Sequence, residues 1–76
     1  MRDKITKCLS TALEVKLDNV KFEDITAENF SEWDSLKQIE IVVLLEEEFD
    51  VRFSEEDVPK IKSATAIESI LSSHGS

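Results

Sequence analysis

The chain predicts an all-α fold, a small four-helix bundle with a long loop between its first and second helices and a short third helix. Three observations lead there. Apolar residues recur at steps of three and four in separate stretches, an irregular polar segment interrupts them, and serine or threonine capping signals precede the shorter helical runs. At 76 residues the chain is expected to form one domain, 1–76, near the lower size at which a hydrophobic core suffices without metal or disulfide support.

Ile5, Cys8, Leu9, Ala12 and Leu13 share one face of a first helix running from Arg2 to about Leu17, with Lys4, Lys7, Thr11 and Glu14 mainly opposite. From Asp18 to Asp34 the periodicity fails, and Val20, Phe22, Ile25, Phe30 and Trp33 punctuate a polar run. Apolar residues spaced in this way anchor a loop, so the segment is expected to be ordered, with a short turn near Ala27 to Phe30. The second helix spans Ser35 to about Phe49. Its inward face is drawn from Leu36, Ile39, Val42, Val43, Leu45 and Phe49, and Lys37, Glu40, Glu47 and Glu48 face outward. The β-branched residues Ile39, Ile41, Val42 and Val43 would suit a strand, but the length of the run and its three closing glutamates favour helix.

Ser54-Glu55-Glu56-Asp57 followed by Val58-Pro59 supplies an N-cap serine, first-turn acids and a proline that limits the third helix to one or two turns. Thr65-Ala66-Ile67-Glu68 reads as a capping box opening a last helix whose apolar positions are Ile67, Ile70 and Leu71. Residues 72–76 are expected to fray, and His74-Gly75-Ser76 reads either as a native end or as an appended remnant.

Lys and Arg total 9 against 17 Asp and Glu, a formal net charge of −8, which disfavours nucleic acid and anionic membrane surfaces and favours partners bearing basic patches. The hydrophobic fraction of 41% is too high for a disordered acidic tail. The longest strongly apolar stretch, Ile41 to Leu45, is too short to cross a bilayer, and Met1-Arg2-Asp3-Lys4 lacks the apolar core of a signal peptide. One cysteine, Cys8, excludes an internal disulfide and fits a reducing compartment, so a cytoplasmic location is expected; the chain is also expected to be a monomer.

The most informative run is Trp33-Asp34-Ser35-Leu36, which sets a serine where the acidic loop turns into the second helix. The N-terminus of a helix carries partial positive charge and unpaired N–H groups, so a phosphate ester on Ser35 would be favourably placed. Capping is the competing role. Ser35-Leu36-Lys37-Gln38 is itself a capping box, while Asp34 as N-cap would leave the Ser35 hydroxyl free at the first helical position. Periodicity does not choose between these registers.

Asp34-Ser35-Leu36, with Glu40, Leu45-Glu46-Glu47-Glu48-Phe49 and Ile61-Lys62-Ser63 in register, resembles the acyl carrier proteins over nearly the whole chain. The resemblance implies that a phosphopantetheinyl transferase attaches 4′-phosphopantetheine from coenzyme A to Ser35 through a phosphodiester, and that the terminal thiol carries acyl groups as thioesters between loading and transfer or synthase enzymes. It implies that Asp34 presents the site to the transferase and its magnesium ion. Leu36, Glu40, Val43, Glu46 and Glu47 match positions of the partner-docking face, with Lys37 beside them. No catalytic residue and no resident metal are implied.

Departures from the family bear on the pathway. The residue two after the serine is usually acidic in fatty-acid carriers and is Lys37 here; the residue two before it is usually glycine, whereas Glu32-Trp33 precedes Asp34, as in some dedicated carriers such as the D-alanyl carrier of cell-wall modification. The Gly-Gly-x-Ser of peptidyl carriers is absent. A discrete carrier in a specialised pathway is therefore expected. An acidic helical interaction module, with Ser35 only a cap, is the alternative. A serine enzyme is remote, since no histidine stands near Ser35 in the pattern. His74 and Cys8 have no metal-ligand spacing, and the glutamates before Asp50 lack the alternation of a calcium loop.

Overall fold

The computed structural model describes residues 1–74. Three α-helices, α1 (Arg2–Leu13), α2 (Ser35–Phe49) and α3 (Ala64–His74), are joined by segments that contain the short 3₁₀ turns Phe22–Asp24 and Val58–Lys60. Among the described residues there is no strand, only an isolated antiparallel bridge between Thr26 and Ser63. Among the described residues the fold is thus all-α, with three α-helices and a 3₁₀ turn, Val58–Lys60, where the short third helix was expected.

The expected third helix forms its cap but not its body. Ser54 Oγ accepts from Asp57 N–H at 3.2 Å and Asp57 Oδ2 accepts from Ser54 N–H at 3.4 Å, a reciprocal box. Pro59 then supplies no N–H for the next α-helical bond, and the chain tightens to i→i−3 bonding, Lys60 N–H to Asp57 C=O at 2.9 Å.

Helix α1 stops at Leu13 instead of Leu17, because Glu14 adopts a left-handed conformation (φ 58°) and its N–H returns to Ser10 C=O. Leu17 is nevertheless 3% exposed, so the apolar period counted a core residue beyond the end of the helix. Asp50 closes α2 in the same way at φ 53°. Helix α3 begins at Ala64, since Ser63 Oγ accepts from Ala66 N–H at 3.1 Å. Thr65 is inside it, and Glu68, instead of reaching back to a cap, takes Arg2 in a two-pronged pair at 2.7 and 3.1 Å. The same guanidinium lies 4.5 Å above the Phe22 ring, tying α1, the loop and α3 together. Beyond Leu71 the helix continues through Ser72 and Ser73 to His74, where fraying was expected; residues 75 and 76 of that expected tail lie outside the described residues.

Ile5, Leu9 and Leu13 from α1, Ile41 and Leu45 from α2 and Ile67 from α3 meet in one core. The long loop closes it with Ile25 and Trp33, and Ile61 closes it from the segment before α3. Loop and segment are stitched by Ala27 N–H to Lys62 C=O at 2.8 Å and Ala64 N–H to Ile25 C=O at 2.9 Å. Residues 27–29 form a turn, held by Asn29 Nδ2 donating to Asp24 C=O at 2.8 Å. Burying the loop's apolar anchors, each contributing roughly 1.5–3 kcal/mol, offsets the entropy of ordering so long a connection.

The inward face assigned to α2 is corrected. Ile41 and Leu45 are fully buried, while Leu36, Ile39 and Val43 are 73%, 62% and 46% exposed. From Leu36 to Leu45 the helix is apolar on two sides, and only packing against α1 decides which side the core takes.

Candidate functional site at the start of helix α2

Trp33 fixes the approach to α2. Its ring is buried, and its indole N–H donates to Gln38 Oε1 at 2.6 Å. Gln38 Nε2 in turn donates to Val58 C=O at 2.8 Å, so one amide joins the end of the loop, the first turn of α2 and the 3₁₀ turn beyond. Both polar ends of this bridge are satisfied, which lets an indole nitrogen sit beside the core at little cost.

The N-cap is Asp34. Its Oδ1 accepts from Lys37 N–H at 2.9 Å, and its C=O takes the first helical bond from Gln38 N–H at 2.9 Å. Ser35 is therefore the first helical residue. It is exposed, and its Oγ has no hydrogen-bond partner among the described residues. Of the two capping registers open in the sequence, the structure takes the one that frees the serine. Gln38, the would-be reciprocal partner of a Ser35 cap, is spent on Trp33 and Val58. Beside Ser35 lies an open groove of about 270 Å³, lined also by Ala27, Trp33, Asp34, Gln38 and Lys62.

Lys37 does not project freely. Its Nζ lies 3.3 Å from Glu14 Oε2 and 3.5 Å from Glu40 Oε2, clamping the first turn of α2 to the end of α1. The hydrogen bond with Glu14, aided by the charge of Glu40, holds its ammonium above the ordinary lysine range. Glu46 is also engaged, its Oε2 accepting from Phe53 N–H at 2.9 Å. Glu47 is exposed. Leu36, Ile39 and Val43, one or two turns apart, form an exposed apolar stripe whose far edge opens into a groove of about 380 Å³ lined by Thr11, Ala12, Ile39, Glu40, Val43 and Leu44. Sequence reasoning put Ile39 in the core; its i, i+3 relation to Leu36 was the available signal.

The chain's single histidine, His74, meets Asp57 Oδ2 at 2.9 Å and stands edge-on to Phe53 with ring centroids 5.9 Å apart. Cys8 is buried, which raises its thiol pKa, and its Sγ lies 3.9 Å from Leu44 C=O. Among the described residues no cluster of three His, Cys, Asp or Glu side chains could hold a metal ion, and no helix is long and apolar enough to cross a membrane.

Helix α2 is thus capped by an aspartate and exposes the next residue, a serine, with no partner among the described residues. Comparison with known proteins identifies the family. The chain is 37% identical over 65 residues to the acyl carrier protein of Buchnera aphidicola subsp. Schizaphis graminum, an alignment covering 79% of this chain and 75% of that protein. It is 32% identical over 63 residues to the acyl carrier protein of Buchnera aphidicola subsp. Acyrthosiphon pisum, covering 83% and 78%. No family model matches the chain. On these relatives the chain belongs to the acyl carrier protein family, whose members are carriers and not enzymes.

Proposed function

We propose that this chain carries acyl groups as thioesters on a 4′-phosphopantetheine arm joined to Ser35 Oγ. The observation that carries the reading is the exposed hydroxyl of Ser35, which has no hydrogen-bond partner among the described residues and is released from capping by Asp34 Oδ1. The residues fit the group. Open space adjoins the hydroxyl, the helix N-terminus favours a phosphate, and Lys62 borders the same groove. When attached, the arm supplies a thiol that holds the cargo. The protein's part is to present the serine rigidly and to be recognised briefly by a phosphopantetheinyl transferase and by the enzymes that load and unload the arm. Asp34 presents the site to the transferase, and its cap keeps the serine at a fixed point of the helix.

The recognition surface is the exposed side of α2. Leu36 and Val43, joined by Ile39, offer apolar contacts, and Glu40 and Glu47 steer basic partners, with Glu46 adding charge from a carboxylate held by Phe53 N–H. A net charge of −8 makes such association fast and salt-sensitive. Lys37, paired with Glu14 and Glu40 beside the attachment point, favours a specialised partner set over bulk fatty-acid synthesis, and an aminoacyl cargo of the D-alanyl type is compatible with it.

Incubation with coenzyme A and a phosphopantetheinyl transferase should add one phosphopantetheine to the wild type and none to Ser35→Ala. Failure with several transferases, or equal labelling of Ser35→Ala, would leave the acidic interaction module as the better reading.

A further inference from the structure

We infer that Lys62 is the positioning cation for the phosphodiester of the prosthetic arm, an inference that rests on the reading of Ser35 as the anchor. Lys62 is the one basic side chain lining the groove beside Ser35. Its backbone is fixed on every side: its C=O accepts from Ala27 N–H at 2.8 Å and its N–H donates to Lys60 C=O at 2.9 Å. Ile61 before it is fully buried, and Ser63 after it caps α3. The side chain therefore leaves a rigid point and is exposed, with no ion pair among the described residues. Lys37, two residues after Ser35, is committed to Glu14 and Glu40.

The electrostatics of the site call for such a group. A phosphodiester on Ser35 is an anion next to the Asp34 carboxylate in a chain of net charge −8. The helix N-terminus offers only about half an elementary charge, and Asp34 already draws on it. An ammonium on the far side of the groove offsets the repulsion and pulls the base of the arm toward the Ala27–Lys62 side. None of Leu36, Ile39 and Val43 lines that groove, so an arm drawn into it leaves the stripe clear for partners. The contact is exposed and weak, so a partner's own cation can replace Lys62 when the arm is withdrawn.

The test compares apo and holo forms of the full chain. Intact mass first establishes loading of Ser35. Rates of reductive methylation are then measured lysine by lysine at low salt. Lys62 should react roughly threefold or more slowly in the holo form, with Lys60 unchanged, and the protection should vanish in 1 M salt, where the Debye length is about 3 Å. The ³¹P resonance of the holo protein should move on Lys62→Gln and stay in place on Lys60→Gln. No added mass on Ser35 overturns the reading of the site and this inference with it. Added mass with equal Lys62 reactivity in both forms, and a ³¹P resonance indifferent to Lys62→Gln, overturns this inference alone.

Discussion

Asp34 and Ser35 stand side by side, the one capping α2 and the other exposed with no hydrogen-bond partner among the described residues, so their substitutions should have different signatures. Asp34→Ala removes the Oδ1 acceptor 2.9 Å from Lys37 N–H, and with it a negative charge at the N-terminus of α2. Loss of an N-cap of this type costs about 1 kcal/mol, and the favourable interaction with the helix dipole adds a few tenths, for a total of about 1.5 kcal/mol. In a domain of this size that lowers the melting temperature by about 8 °C. Ser35→Ala removes a hydroxyl that bonds to nothing described and substitutes the best helix former, so stability should change by less than about 0.5 kcal/mol. Asp34→Asn keeps an acceptor and should lose only a few tenths. Urea unfolding followed by fluorescence of the single, buried Trp33 reads all three. If Ser35→Ala cost as much as Asp34→Ala, Ser35 would be the cap, and its hydroxyl would not be free for attachment.

Three further outcomes follow from the same geometry. Gln38→Ala leaves the Trp33 indole N–H and Val58 C=O without their partner and should cost about 2 kcal/mol by urea unfolding; in a double-mutant cycle with Trp33→Phe the losses should be less than additive. Hydrogen bonds from His74 and Arg2 hold Asp57 and Glu68 below their ordinary pKa values of 3.8 and 4.5, so the stability they supply is present above those values and is lost as pH falls through the lower folded-state values. Melting temperatures of wild type minus Asp57→Asn or Glu68→Gln should therefore shrink below about pH 4, and a constant difference down to pH 2 would contradict the pairing. Lys37→Gln releases Glu14 and Glu40, so the specificity constant for loading by a basic-patched transferase should rise roughly two- to threefold at low salt and lose that gain at 0.5 M, with stability changed by less than about 0.5 kcal/mol.

Periodicity in the sequence located α2 from Ser35 to Phe49 as it stands, because helical spacing, length and flanking loop signals agree there. Elsewhere local pattern lost to tertiary context. Ser54 and Asp57 do form their box, yet Pro59 turns the segment into a 3₁₀ turn, a distinction that depends on one missing N–H. The ends of α1 and α2 are set by Glu14 and Asp50 at positive φ, where the usual signal would be glycine, and the chain's single glycine is Gly75. The inward side of α2 was not legible because apolar residues occupy two sides of it. At the site, the serine and its acidic neighbour were legible, and the choice of cap was not, since either side chain can accept the same N–H. The bridge from Trp33 through Gln38 to Val58 spans residues 20 apart at its longer step, beyond any local pattern.

Whether Ser35 Oγ is the covalent anchor of a phosphopantetheine arm is read by peptide mapping with tandem mass spectrometry on protein purified from its native host. The peptide containing Ser35 should carry one phosphopantetheine, released on fragmentation, with any thioester cargo on its thiol. An unmodified Ser35 throughout the population, in protein that a transferase also cannot load, would contradict it.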